Sequence, residues 1–222
     1  MPGEAQLTAA SGGGSAAFVG PPTSSANTKL KLPADTGAAG KVLKIKSANH
    51  SATNAELEWA QGGKILQVVQ TVKTDTFSES IDDGTFSSDT GLNVTITPSS
   101  SSNKVRLTGS VVVSAGTDNI GLGIGLFKGG SVVSQALGDS SGNRTPCMSM
   151  SFIATYGGEC RCLPFDFLDS PGVNSATTYG IRLIIFPNAS SGTVYMNRSQ
   201  SDSDHVYRPR SISTITAMEV AV

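Results

Sequence analysis

The run Lys104-Val105-Arg106-Leu107-Thr108-Gly109-Ser110-Val111-Val112-Val113-Ser114, followed closely by Ile120-Gly121-Leu122-Gly123-Ile124-Gly125-Leu126-Phe127, decides the fold class. In the first run Val105, Leu107, Val111 and Val113 are separated by multiples of two, the period at which one face of a strand meets a core. In the second, Ile120, Leu122, Ile124 and Leu126 hold one face, while Gly121, Gly123 and Gly125 hold the other. An α-helix cannot keep a face at that spacing. The glycine row has no Gly-Lys-Ser/Thr ending and lies inside a strand rather than before a helix, so it is not a phosphate loop. Its expected meaning is close packing of another sheet or subunit against a face without side chains.

The alternation spreads outward from these two runs. Lys64 to Thr74 and Leu92 to Thr97 precede them; Val132 to Ala136, Met148 to Tyr156, Glu159 to Leu168, Thr177 to Phe186, Thr193 to Asn197 and Ser211 to Val222 follow. Gly, Pro, Ser or Asn clusters bound these segments, as they bound half-buried strands. Nine or ten short strands with turns between them predict an all-β antiparallel sandwich or jelly roll, because two packed sheets accommodate that pattern. About 160 residues follow Gly63, enough to bury close to 70% of the unfolded chain's surface. This head domain, 64–222, therefore needs no metal or disulfide to fold.

Upstream the pattern weakens. Leu30 and Leu32 alternate with Lys29 and Lys31, Pro33 stops the run, and Asp35-Thr36-Gly37 reads as a turn. Lys41 to Lys46 and a segment holding Leu57 and Trp59 complete a small β module, 28–63, with too few apolar residues to stand alone. It requires a partner chain or a surface. Before Thr28 the composition is Ala, Gly, Ser, Thr and Pro, with Gly12-Gly13-Gly14 and Pro21-Pro22 breaking any period. Residues 1–27 are expected to form an extended anchor, in which Phe18 and Val19 are the apolar side chains available to enter a groove and Pro21 and Pro22 keep the chain extended.

Charge and chemistry exclude several functions. With 16 Lys plus Arg against 17 Asp plus Glu in 222 residues, and 15% charged residues in all, no field favours nucleic acid or an anionic membrane. Ser, Thr and Gly fill about a third of the chain. No apolar run approaches the roughly 18 residues of a membrane span, and the first 20 residues lack the charged and apolar regions of a cleaved signal, so a soluble protein is expected. Cys147, Cys160 and Cys162 form no disulfide framework, which points to synthesis in a reducing compartment; in a strand, Cys160 and Cys162 would be small buried hydrophobes on one face. His50 and His205 are too isolated for a triad or a zinc set. Asp202-Ser203-Asp204-His205 could suit a hard cation but reads as a solvated loop. Asp75, Glu79, Asp82, Asp83 and Asp89 read as solvated turns, with no aromatic sugar platform beside them. The Asn-x-Ser/Thr triplets at Asn49, Asn93, Asn143, Asn188 and Asn197 are what a Ser/Thr-rich chain produces by chance. No catalytic residue, metal or cofactor is expected.

Two stretches resemble virion proteins of tailed bacteriophages. Leu30-Lys31-Leu32-Pro33-Ala34-Asp35-Thr36-Gly37-Ala38-Ala39-Gly40-Lys41-Val42-Leu43 with Leu57-Glu58-Trp59-Ala60 is similar to a short β repeat of phage fibres. The head, through Lys64-Ile65-Leu66-Gln67-Val68-Val69-Gln70, Phe165-Asp166-Phe167-Leu168-Asp169-Ser170-Pro171, Thr193-Val194-Tyr195-Met196-Asn197-Arg198-Ser199 and Ser211-Ile212-Ser213-Thr214-Ile215-Thr216-Ala217-Met218-Glu219, is similar to structural proteins of marine and cyanobacterial phages. The resemblance implies a non-enzymatic virion component made in the bacterial cytoplasm. It implies a homotrimeric short fibre or spike, docked through its N-terminus on a capsid or tail adaptor protein, whose head meets a host surface or glycan. Subunit packing would fall on Leu30, Leu32, Trp59, Gly121, Gly123 and Gly125. The alternative is a capsid decoration or cement protein that stiffens the shell. A single shaft-like repeat without heptads excludes a long reach.

Overall fold

The computed structural model describes residues 5–7, 16–18, 29–35, 37, 41–50, 54–116, 118–153, 159–186 and 191–222. The chain divides into two units, Met1–Gly62 and Gly63–Val222.

In the first unit, β1 (Ala5–Leu7) and β2 (Ala16–Phe18) pair antiparallel, with Ala5 opposite Phe18. Sequence reading placed no strand there. Backbone hydrogen bonds hold so short a pair, and they need no side-chain alternation. The strands β3 (Lys29–Lys31), β4 (Lys41–His50) and β5 (Asn54–Gln61) form a sheet in the order β3-β5-β4. β3 runs parallel to β5, and β4 runs antiparallel to it. Register sorts its faces. Lys44 lies opposite Glu58 and bonds it at 3.4 Å, while Glu56 takes Lys31 at 3.2 Å and Lys46 at 3.9 Å. One position away in each strand, Leu43 pairs with Trp59 and Ile45 with Leu57, so the opposite face is apolar. The Trp59 indole donates to the Asp35 carbonyl at 2.9 Å, and a Cβ at Gly37 (φ +71°) would lie 2.5 Å from its ring. Only glycine permits that approach.

The second unit holds β6 (Ile65–Lys73), β7 (Phe77–Asp82), β8 (Asn93–Ile96), β9 (Lys104–Ala115), β10 (Ile120–Lys128), β11 (Ser131–Val132), β12 (Ser149–Ile153), β13 (Arg161–Asp169), β14 (Thr177–Phe186), β15 (Ser191–Met196) and β16 (Ser213–Val220). One edge of β9 carries β13; the other carries β16 and, farther along, β15. This gives a sheet β6-β16-β9-β13, extended beyond β16 by the pair β15-β7. The second sheet runs β8-β14-β10-β12, with the short β11 beside β12 on the same edge of β10. Counting β6, β8, β9, β10, β12, β13, β14 and β16 as first to eighth, the sheets read 1-8-3-6 and 2-7-4-5. That is the wrapping of a jelly roll, two antiparallel sheets each built from strands distant in sequence.

Between the sheets lies one core. Val105, Leu107, Val111, Val113, Leu163, Ile215 and Ala217 face it from one side, and Val94, Ile96, Ile120, Leu122, Ile124, Leu126, Ile181, Leu183 and Ile185 from the other, all essentially sealed from solvent. Each Val, Leu or Ile contributes about 1.5 to 3 kcal/mol by burial.

Polar groups tie the edges. Tyr179, fully buried near the start of β14, donates to Asp169 Oδ2 at 2.6 Å, and Lys128 of β10 reaches the same oxygen at 2.9 Å. Asp169 ends β13, so one carboxylate joins the two sheets. Burial and that carboxylate raise the Tyr179 phenol well above its usual range. Asn197 (φ +62°), also fully buried, donates to the carbonyls of Lys73 and Asp75 at 2.9 Å each and accepts from Ser213 Oγ at 2.6 Å. Glu219 accepts from Ser99 N and Oγ, Asn103 Nδ2 and Gln67 Nε2 at 2.6–2.7 Å. Burial pushes this carboxyl up, but those hydrogen bonds outweigh it and hold the pKa at about 2.

Several expectations are corrected. β7 occupies Phe77–Asp82, where turns were expected, because Glu79 interrupts the apolar alternation. Ser134–Ala136 is a 3-10 turn rather than the end of a strand. Cys162 is exposed, on the outer face opposite Val112, and Cys160 precedes β13. Neither is a sealed core residue.

Candidate functional site

After β7 the chain leaves the first sheet and runs along β14 before entering β8. Gly84 N bonds the Ile185 carbonyl, Ser87 N the Leu183 carbonyl, and Thr90 Oγ1 the Ile181 carbonyl. This path carries Phe86 and Asp89 across the outer face of the β8-β14-β10-β12 sheet.

On that face, register aligns Phe127 of β10, Gly180 of β14 and Asn93 of β8 in one cross-strand row. Two residues along β14 in either direction stand Thr178 and Arg182. A side chain at Gly180 would run into Asn93 Oδ1, so glycine there lets Asn93 lean over β14, and a shallow cleft lies beside it. The cleft has a volume of about 70 Å³, and Asp89 and Gly130 complete its walls. That is room for a few water-sized groups.

The walls are fixed. Arg182 places its guanidinium carbon 4.2 Å over the Phe127 ring, and Phe86 meets the same ring edge-on at 5.2 Å between centroids. Such stacking holds the guanidinium plane. Among the described residues Arg182 has no carboxylate within ion-pair distance. Asp89 Oδ1 accepts from Gly91 N at 2.8 Å and from Asn93 Nδ2 at 2.9 Å, and Oδ2 shares that Asn93 donor at 2.9 Å. Thr178 Oγ1 and Thr95 Oγ1 lie 2.7 Å apart.

The residues expected to bear function lie elsewhere. Phe18 is in β2; Val19, Pro21 and Pro22 fall outside the described residues. Leu30 stands opposite Ala55 in register, Leu32 is 48% exposed, and Trp59 lies on the apolar face of the small sheet. Gly121, Gly123 and Gly125 do face a close approach, but this chain itself makes it: a Cβ would meet Phe186 at Gly121, Ile184 and Cys147 at Gly123, and the Phe86 ring at Gly125. Of the acidic turns, Asp75 binds Lys73 at 2.7 Å and Glu79 accepts from Ser88, leaving Asp89 as the member that lines the cleft. Asp202 sits between Arg210 at 2.7 Å and Arg198 at 3.4 Å. Among the described residues no three of His, Cys, Asp and Glu converge as a metal set. Sequence reading missed the cleft because Asn93, Phe127 and Gly180 come from three strands, and only register unites them.

No protein-family model matches this chain, and no curated protein does. Among solved structures it is similar to that of the infectious bursal disease virus Gt strain, at 11% identity and a TM-score of 0.38, over 80% of this chain and 43% of that one. The infectious bursal disease virus VP2 subviral particle gives the same identity, TM-score and coverage. The T13 particle of that virus gives 11% identity and a TM-score of 0.33, over 80% and 40%. The chain thus spans less than half the length of the chains it is similar to. At these values the jelly roll stands on its own strand order.

Proposed function

We propose that this chain is a non-enzymatic structural protein displayed on the surface of a virion. The observation that carries the reading is its division of labour. The jelly-roll head completes its own core, whereas the β3-β5-β4 sheet pairs its charges on one face and leaves Leu43 and Ile45 41% and 53% exposed on the other, with Leu32 just beyond β3 also exposed. A subunit built to join an assembly has that form, because the uncovered face gains its burial from other copies or from the particle. The phage resemblance of residues 30–60 and of the head supports the virion setting.

Two placements follow. As a shell-decorating subunit, the head would lie on the capsid; the outer face of β6-β16-β9-β13, with Val68, Val72 and Leu168 exposed, favours this. As a short homotrimeric spike, residues 1–27 would dock on a capsid or tail adaptor and the head would meet a host surface or glycan; the amphipathic module favours this. Cryo-electron microscopy of intact particles tests both. Density for the head across capsomer junctions supports decoration, threefold projections support the spike, and absence of the protein from the particle overturns the proposal. Native mass spectrometry should give three times the chain's 22.7 kDa for the spike.

A further inference from the structure

The geometry points to the Gly180 cleft as a binding site for an acidic sugar residue, a uronate or sialate, with Arg182 holding its carboxylate and Asp89 a neighbouring hydroxyl. This rests on the reading of the head as surface-displayed and glycan-facing, and it names the ligand class and the site. Three observations carry it.

First, Arg182 is an oriented cation with unspent donors. Its guanidinium is stacked at 4.2 Å on a buried ring, and among the described residues no ion pair neutralises it and no acceptor bonds it. A planar fork of that kind matches a carboxylate with two parallel hydrogen bonds. Secondly, the same small cleft presents an oriented carboxylate. Asp89 is turned by Gly91 N and Asn93 Nδ2, and three of its roughly four acceptor positions are used, which leaves one at Oδ2 for an incoming hydroxyl. A fixed cation and a fixed acceptor in one cleft suit a ligand with a carboxylate beside hydroxyls. A bare inorganic anion would bring no hydroxyl to the Asp89 acceptor, and a neutral sugar would leave Arg182 without an anionic partner.

Thirdly, the cleft is open at its rim. Asn93 leans over Gly180, which only glycine allows, and so stands beside Asp89, while Gly130 (φ +83°) has no neighbour within 4 Å of its Cβ position. The volume admits the acid-bearing edge of one sugar while the rest of a glycan stays in solvent. Such contacts give weak single-site affinity, which copies on one particle multiply without any new contact.

The test uses the full chain and methyl glucuronide, N-acetylneuraminic acid, their methyl esters, a neutral methyl glucoside and an acetyl-aspartate amide as probes, read by saturation-transfer NMR and titration. An acid should bind in the millimolar range, with its ester and the neutral sugar at least tenfold weaker. Arg182→Gln should abolish acid binding, Arg182→Lys should retain part of it, and Asp89→Asn should weaken it at an unchanged thermal midpoint. Acid binding unaltered in both Arg182 variants overturns this site but leaves glycan recognition by the head standing. Equal binding of the aspartate amide shows a general carboxylate site and overturns the sugar assignment. Failure of every probe overturns the site, and a glycan array on the same protein then decides whether the wider glycan reading falls with it.

Discussion

Glu219 is 1% exposed and holds four hydrogen bonds, from donors in β6 and in the turn after β8. Burial works against its ionisation, yet the pKa is held at about 2, below the roughly 4.3 of a glutamate in the unfolded chain. The unfolded state therefore binds more protons between those values. Its contribution, on the order of 3 kcal/mol, is fully present above about pH 4.5 and is lost as the pH falls toward 2. Glu219→Gln should cost about 1 to 3 kcal/mol at pH 7, since its carbonyl oxygen can serve Ser99 and Asn103 but its NH2 would then face the Gln67 Nε2 donor. The same variant should also flatten the fall in thermal midpoint between pH 4.5 and 2. A melting series across that range checks both effects, and equal slopes for the two proteins would refute the assignment.

The strand β10 shows a different control, because one face fills the core while the other must stay empty. Gly125 lies beneath the Phe86 ring, which is pinned edge-on to Phe127. Gly125→Ala should destabilise by about 1 to 3 kcal/mol through overpacking. Adding Phe86→Ala should recover part of that loss, a coupling that a double-mutant cycle in denaturant measures. At Gly109 a side chain would strike the Thr214 carbonyl of β16, so Gly109→Ala should cost more than Gly125→Ala, and trimming Phe165 should not recover it. What the sequence reveals here follows from periodicity. Val105, Leu107, Val111 and Val113 are legible because β9 alternates, and Thr177–Phe186 is legible over its whole length. β7 is not, because Glu79 takes a position that alternation assigns to an apolar residue. The placing of β16 between β6 and β9 is not either, since more than 100 residues separate Glu219 from Val105 and nothing local encodes their pairing. The cleft is illegible for the same reason: a glycine between an asparagine and a phenylalanine is a statement about register.

At the scale of the molecule, the two units place different demands on their surroundings. Every member of the core cluster lies between Ile81 and Ala217, so residues 63–222 expressed alone should unfold in one cooperative transition by calorimetry. Among the described residues, none of the three-stranded sheet of the first unit belongs to that core. Leu43 and Ile45 are 41% and 53% exposed beside Trp59 and Leu57, while the Lys44–Glu58 and Lys31–Glu56–Lys46 pairs, surface ion pairs of little worth, occupy the other face. Its stability must come from whatever covers the apolar side. If copies of the chain cover it, Leu43→Lys with Ile45→Lys places charges in that interface, where neither has a partner, and the assembly should dissociate to monomers. The head's melting transition should stay where it was, because no head core residue is touched. Sedimentation velocity alongside calorimetry separates the outcomes: monomers with an unchanged head transition place self-assembly on the small sheet, whereas an intact oligomer assigns that face to the particle and moves self-association to the head.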